Sequence, residues 1–337
     1  MADVARPGEG HVGLLGGGVI GGGWAARFAL NGHAVRLFDP DPEAGRKVDE
    51  MLANGRRAWG SLTDAPLPAE GEVVVVRTPE EAVEGAWFVQ ESAPEKEELK
   101  RALLAQASAA APADTVFGSS TSGLLPTHLQ ADMVGPERLV VGHPFNPVYL
   151  LPLVEVVPGE RTSQAAVDRA VEVYASLGMK PLPLQVEIDG FVADRLLEAL
   201  WREALGLVAD GVATVEQVDD AIRYGAGLRW ASMGTMLTYR IAGGEGGMRH
   251  FMAQFGPALQ WPWSKLTDVP ELTDELLDRI EEQSDAQAAG ADVRDLERLR
   301  DDCVVAVMRG LRGVDYASGA VLRRYEDELR QRAEVSG

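Results

Sequence analysis

His11-Val12-Gly13-Leu14-Leu15-Gly16-Gly17-Gly18-Val19-Ile20-Gly21 sets a short apolar run directly against a cluster of glycines. Gly16, Gly17, Gly18, Val19, Ile20 and Gly21 satisfy the pattern G-x-G-x-x-G, and a helical pattern follows from Gly22 to Asn31. Strand, glycine turn and helix in that order make the phosphate-binding unit of a Rossmann-type fold. The glycines permit a tight turn and a close approach of backbone to pyrophosphate. The helix N-terminus then offers its unpaired N–H groups to the phosphate charge. A glycine-rich turn alone is a weak signal. Asp39 strengthens it, because it ends the next apolar run, Ala34–Asp39, eighteen residues after Gly21. An acid at that place hydrogen-bonds ribose hydroxyls and repels a 2′-phosphate, so the expected cofactor is NAD rather than NADP. Arg36 and Arg46 lie near enough in sequence to leave that preference to be tested.

Outward from this unit, apolar runs alternate with helical patterns through the first half of the chain, as in a parallel α/β sheet. Strands are expected at His11–Leu15, Ala34–Asp39, Val73–Arg77, Trp87–Glu91, Thr115–Ser119, Leu139–His143, Leu153–Val157 and Pro181–Gln185. Helical patterns fill Pro42–Ala58, Glu95–Ala111 and Ser163–Leu177. After Asp189-Gly190 the texture is helical alone: Phe191–Ala209, Thr214–Tyr224, Ala231–Ile241, Gly247–Phe255, Glu271–Ala288 and Val293–Leu311, then a charged helical tail. Gln283–Ala291 is small and polar enough to form a loop. The expected fold class is therefore α/β: a doubly wound Rossmann-type domain over residues 1–189, then an all-helical domain over 190–337.

Bulk properties narrow the functions. The 32 Lys+Arg against 52 Asp+Glu leave a net charge of −20, a field that repels nucleic acid and anionic membrane. Neither is expected as a partner. Cys303 is the single cysteine, which rules out an internal disulfide and suits a reducing compartment. Met1–Gly10 is polar and lacks the apolar core of a signal peptide, and no run approaches the ~18 apolar residues of a membrane span. The expected location is cytoplasmic. No metal site is assigned.

A second informative stretch is Gly142-His143-Pro144-Phe145-Asn146-Pro147, with Glu155 twelve residues after the histidine. Proline holds His143 extended at the end of the apolar run Leu139–Val141. Glu155 lies inside a second apolar run, Leu153–Val157. Two short strands joined by a proline-bounded turn would lay that carboxylate against the imidazole, as a proton-transferring base requires. His11, His33, His128 and His250 lack such a context and read as structural or surface residues.

With these pieces in place the chain resembles the 3-hydroxyacyl-CoA dehydrogenase superfamily over nearly its whole length. The resemblance is carried by GGGVIGGGWAARFALNGHAVRLFDPD, QESAPEKEELK, SSTSGL, GHPFNPVYLLPLVEV and DGFVADRLLEALWREAL, in that order. It implies a Rossmann domain followed by a helical domain that supplies a homodimer contact. By position it makes His143 the base and Glu155 its orienting partner. It places Ser122 and Asn146 around the reacting carbinol and the nicotinamide, and Glu95 and Lys100 at the cofactor. On residue type alone, Ser122 in its Ser/Thr/Gly loop reads first as a turn residue. One departure stands out: the family usually carries Asn where this chain has Asp194.

The segment after Gly227 departs from the acyl-CoA enzymes and resembles a branch acting on a small quaternary-ammonium 3-hydroxy acid. A trimethylammonium group has no N–H to donate, so a site must hold it by aromatic faces or diffuse negative charge, at about 0.5–2 kcal/mol per face. Trp230, Tyr239, Phe251, Phe255, Trp261 and Trp263 crowd into 34 residues of a chain only 6% aromatic. As a set they favour a cage, with Trp230, Tyr239 and Phe255 the leading candidates; taken singly, each reads as a core or dimer-contact residue. Arg229 is the candidate for the substrate carboxylate, with Arg240 and Arg249 as competitors. A CoA thioester would want a basic patch, and Lys47 to Thr63 offers only Lys47, Arg56 and Arg57. Alternatives left open are L-gulonate or a 3-hydroxyacyl-CoA as substrate. A different class, a crystallin-like structural NAD-binding protein, has no physical need for the His143/Glu155 pair.

Overall fold

The structure, a computed structural model, describes residues 10–336. Eight strands form one sheet: β1 His11–Leu15, β2 Val35–Phe38, β3 Val73–Val76, β4 Ala86–Glu91, β5 Val116–Ser119, β6 Leu139–Pro144, β7 Leu153–Pro158 and β8 Lys180–Pro183. Their order is β3-β2-β1-β4-β5-β6-β7-β8. Strands β1 to β6 pair in parallel, β7 runs antiparallel to β6, and β8 is parallel to β7. The order reverses between β1 and β4, the switch point at which open α/β sheets bind ligands at the carboxyl ends of their strands. The central strands are buried on both faces, and so read as largely apolar runs, with the polar residues of β4 and β6 toward their carboxyl ends.

The helices of this unit are α1 Val19–Leu30, α2 Ala44–Leu62, α3 Pro79–Val83, α4 Glu97–Ala110, α5 Pro126–Leu129 and α6 Gln164–Ser176. Trp24 and Phe28 of α1, Trp59 of α2 and Tyr174 of α6 fill the core against the β4 residue Phe88. Thr78 caps α3 and Ser163 caps α6, each side chain accepting from the backbone three residues on.

The second unit is entirely helical among the described residues. It contains α7 Ala193–Ala209, α8 Val215–Ala221, a π turn at Ile222–Ala226, α9 Gly227–Trp230, α10 Thr235–Ala242, α11 Gly247–Phe255 and α12 Asp274–Ala288. Thr214 and Gln217 form a reciprocal capping box at the start of α8. The loop expected over Gln283–Ala291 is largely helix. Glutamine and alanine are good helix formers, and α12 ends only where Ala289 and Gly290 turn left-handed (φ 53° and 82°).

Two boundaries differ from the sequence expectation. The break falls after Val192 rather than after residue 189, and the C-terminal helices are shared out. Helix α13, Val293–Gly313, passes to the first unit at Asp301, and α14, Ala317–Ser336, belongs to it from Gly319 onward. The reason is apolar: Val305, Met308, Leu322, Tyr325 and Leu329 lie in the same core as Trp24 and Trp59. Tyr325 also donates to Asn31 Oδ1 (2.6 Å), and Thr63 donates to buried Glu326 (3.0 Å).

Candidate active site

The glycine turn closes as the motif requires. Gly16 adopts φ 105°, and a Cβ on Gly21 would stand 1.9 Å from the Gly16 carbonyl oxygen. Gly18 caps α1 with no side-chain bond, and a Cβ there would meet nothing within 4 Å. The loop therefore needs Gly21 for its own closure, while Gly18 faces the open space that a pyrophosphate would take. Asp39, just beyond β2, accepts from Gly17 N (2.6 Å) and Asp41 N (2.8 Å). Its carboxylate is thus aimed before any ribose arrives. The neighbouring cations are engaged: Arg46 bonds Glu43 (2.9 Å) and Glu50 (2.5 Å), and Lys47 bonds Asp41 (2.5 Å). These residues fit a dinucleotide without a 2′-phosphate.

His143 and Glu155 are register partners across the antiparallel β6–β7 pair. The imidazole Nδ1 is 2.9 Å from Glu155 Oε2, with the histidine side chain 5% exposed and the carboxylate 0%. Glu155 Oε1 accepts from the Val192 amide (3.0 Å). Rings of Phe145 and Phe191 flank the imidazole at 5.1 and 5.6 Å. Because β1, β4, β5 and β6 are parallel, the glycine turn, Glu91, Ser119 and His143 all lie at the carboxyl end of the sheet. Asn146, exposed, precedes a cis peptide bond to Pro147 in the turn after β6.

Ser122 is exposed in the loop after β5, and its amide donates to Glu95 Oε1 (3.0 Å). Thr121 Oγ1 donates to the same oxygen. Lys100, expected at the cofactor, is held from within the protein. It is 1% exposed, and its ammonium faces Glu91 Oε1 (2.8 Å), the Ala93 carbonyl (2.9 Å) and Glu95 Oε2 (3.4 Å). Glu91 also accepts from Ser119 Oγ (2.5 Å). Lys100 thus lies beneath the loop and holds the two carboxylates that shape it.

Several positioning groups escaped the sequence reading. The Gln90 amide donates to Ser120 Oγ (2.8 Å) and to the Gly142 carbonyl (3.2 Å), and accepts from Tyr174 OH (2.6 Å). Burial holds the Tyr174 phenol far above its ordinary range, so it stays a donor. Arg27 is fully buried and donates to the carbonyls of Val148 (2.6 Å), Leu177 (2.9 Å) and Leu151 (3.0 Å). Desolvation lowers it to about 10, which leaves it charged near neutral pH. It pins the turn after His143 to α1. A polar residue inside an otherwise buried strand or helix was the available signal in each case.

Two family models match successive stretches of the chain. Residues 11–187 match the NAD-binding domain of 3-hydroxyacyl-CoA dehydrogenase, and residues 190–275 match its C-terminal domain. The chain belongs to the 3-hydroxyacyl-CoA dehydrogenase family. It is an NAD-dependent oxidoreductase. Among curated relatives, an L-carnitine dehydrogenase of Mesorhizobium japonicum is 56% identical, over 94% of this chain and 88% of its own length. A Rhizobium meliloti protein named L-carnitine dehydrogenase/betainyl-CoA thioesterase is 55% identical, and the chain spans 64% of its length. Among solved structures, a 5-formyl-3-hydroxy-2-methylpyridine 4-carboxylic acid 5-dehydrogenase superposes with a TM-score of 0.74 at 28% identity, covering 90% of this chain and 98% of its own. The 3-hydroxybutyryl-CoA dehydrogenase of Escherichia coli gives 0.56 at 29% identity, covering 75% of this chain and 53% of its own.

In the helical C-terminal domain of this family member, Tyr239 stacks on Phe251 (4.7 Å, 16°), and Phe251 meets Phe255 at 4.9 Å. Tyr239 and Phe255 therefore belong to one row of rings, each more than 40% exposed. Trp261 and Trp263 meet edge to face at 4.9 Å. Trp230 is partly exposed in α9 beside exposed Arg229, and no ring pair among the described residues includes it. Asp194 lies in the first turn of α7, where a carboxylate complements the positive end of the helix.

Proposed function

We propose that the chain oxidises L-carnitine to 3-dehydrocarnitine with NAD. The observation that carries the reading is the buried His143–Glu155 pair at the carboxyl end of the sheet, the end that also bears the glycine turn. Oxidation removes the C3 hydride and the hydroxyl proton together. The nicotinamide, when bound, accepts the hydride. With Nδ1 donating to Glu155, Nε2 of His143 is the nitrogen that takes the hydroxyl proton. Glu155 fixes that tautomer and stabilises the imidazolium. Ser122 donates to the oxygen as negative charge develops on it, and Asn146 orients the same region. Gly16–Gly21 and Asp39 hold the dinucleotide, and Glu95 with Lys100 shapes the loop against it.

The substrate assignment draws on the curated relatives and on charge. Lys47, Arg56 and Arg57, the cations a CoA phosphate would need, are paired with Asp41, with Glu70, and with Asp301 and Asp302. A small zwitterion makes no such demand. Trp230, Tyr239 and Phe255 supply faces for the trimethylammonium, and Arg229 meets the carboxylate. The helical domain carries these contacts and a homodimer interface. In support of the interface, Leu197, Trp201, Val215 and Ile222 line an apolar groove of about 420 Å³. No helix among the described residues is long and apolar enough to cross a membrane. The setting proposed is cytoplasmic, which the single cysteine suits.

The test is kcat/KM for L-carnitine, L-gulonate and 3-hydroxybutyryl-CoA, followed by reduced-cofactor absorbance. Carnitine is expected to lead. Equal rates with a substrate lacking the trimethylammonium group overturn the assignment, and absence of turnover with all three favours a structural NAD-binding role. Sedimentation at micromolar concentration checks the dimer.

A further inference from the structure

The turn that follows β8 does two things for the His143–Glu155 pair that no role assigned so far explains. Phe191 N donates to the Ile188 carbonyl (3.0 Å), which closes a four-residue turn with Gly190 at its third position. Gly190 has φ 68°, as such a turn asks of that position. Phe191 is then left-handed as well, with φ 49°. A bulky aromatic residue is a clear outlier there, and glycine or asparagine would serve the backbone with less strain. The two left-handed residues together reverse the chain, so that Val192 N points back into the sheet and donates to Glu155 Oε1 (3.0 Å).

The side chain accounts for the strain. Phe191 is fully buried and packs with Val141 of β6 and Val157 of β7, two residues before His143 and two after Glu155. Its ring centroid is 5.6 Å from the imidazole, and Phe145 stands 5.1 Å from it. Rings beside the imidazole resist the rotation that would exchange Nδ1 and Nε2. The Val192 amide resists rotation of the carboxylate that Nδ1 addresses.

We infer that Phe191 and Val192 are positioning residues of the proton-transfer pair: the amide of Val192 fixes Glu155, and the ring of Phe191 fixes His143. This rests on the reading of His143 as the base. Strain persists where the surrounding structure over-determines it, and sites of chemistry are where it collects.

The experiment uses the full chain. Replacing Val192 by its α-hydroxy analogue through nonsense suppression turns one amide into an ester and deletes the N–H while keeping the side chain. Phe191→Gly keeps the backbone shape and deletes the ring, and Phe191→Leu restores apolar bulk. The ester is expected to lower kcat for L-carnitine roughly 10- to 100-fold, the scale of one hydrogen bond to a charged group, with NAD binding unchanged. Phe191→Gly is expected to lower kcat likewise, with partial rescue in Phe191→Leu. The second readout needs no substrate: the downfield proton resonance of His143 Nδ1–H against Glu155 moves or broadens in the ester and in Phe191→Gly. Unchanged kcat and an unchanged resonance in the ester overturn the inference. Wild-type protein that fails to oxidise carnitine overturns the functional reading instead, and the resonance still decides the positioning role. If Phe191→Gly does not fold, the ester and Phe191→Leu carry the test.

Discussion

His143 and Glu155 face each other across the β6–β7 pair, 2.9 Å apart and nearly sealed from water. In the proposed role the imidazole accepts a proton at Nε2 while Nδ1–H stays bonded to the acid. His143→Ala is expected to lower kcat roughly 10²- to 10⁴-fold, the usual contribution of a placed base. Glu155→Gln can offer an NH2 to Nδ1 and so select the wrong tautomer; a loss on the order of 10²- to 10⁴-fold is expected. Steady-state rates on protein of unchanged circular dichroism check both, and a Glu155→Gln enzyme of wild-type kcat would exclude the tautomer argument.

Asp39 accepts from two backbone amides and is the proposed ribose acceptor. Asp39→Ala removes both the ribose acceptor and the brace on Gly17. The dissociation constant for NAD is expected to rise roughly 10- to 100-fold, while that for NADP changes little because a repulsive charge is lost along with the support. Cofactor fluorescence titration reads the two constants. A variant that still prefers NAD as strongly as before would mean that selectivity lies elsewhere.

The glycines of the turn separate folding from binding. A methyl at Gly21 collides with the Gly16 carbonyl at 1.9 Å, whereas one at Gly18 meets no protein atom within 4 Å. Gly21→Ala is expected to lower the Tm and abolish cofactor binding together. Gly18→Ala is expected to leave the Tm of the free protein within about 2 °C, since exposed substitutions stay near ±0.5 kcal/mol, and still to weaken NAD. Thermal melts with and without NAD distinguish them.

Arg27 buries a cation among three carbonyls and lies over the Trp59 ring at 5.6 Å. Arg27→Met fills similar space and leaves those carbonyls without their donor. A loss of about 3 kcal/mol is expected at one to three kcal/mol for a buried unsatisfied group with partial relaxation. Urea denaturation measures it, and a loss below about 0.5 kcal/mol would show that the turn after β6 is held by other means.

His33 gives acid sensitivity without any part in the chemistry. Burial against Phe28 and Trp87 pushes it down to about 4, with Arg332 adding to the effect. The folded chain thus keeps His33 neutral where the unfolded chain protonates it. Between about pH 6.5 and 4 the unfolded state binds more protons, so stability falls as pH is lowered through that window and this contribution levels off below it. The gap is worth at most roughly 3 kcal/mol, reduced by partial solvent access. His33→Gln should flatten the fall of Tm over that range, and an unaltered slope would assign the acid sensitivity to other groups.

Much of the first unit was legible because its determinants are local. The central strands are short, apolar on both faces and separated by helices with clear periodicity, so their positions agree with the structure to within a residue or two. The glycine turn, Asp39 and the His143–Glu155 spacing were readable for the same reason: each depends on residues a few positions apart or on one hairpin. Helices α3 and α5 were not, since four or five residues span barely one turn and show no period. Lys100 had only the family resemblance to place it at the cofactor; the fold brings Glu91 and Glu95 around its ammonium, which no local pattern announces. The return of α13 and α14 had no local signal either. It rests on pairs such as Arg57 with Asp301 (2.9 Å) and Thr63 with Glu326, far apart in the chain.

That return sets an order on biosynthesis. The nucleotide-binding core is encoded by segments far apart in the message, so a ribosome that has made the glycine turn and all eight strands still holds an open face on α1 and α2. Tyr325 and Leu329 have yet to be translated, and they are what close it. Nascent chains arrested before residue 319 should therefore bind chaperones and resist capture on an immobilised dinucleotide, whereas chains extended past α14 should be captured.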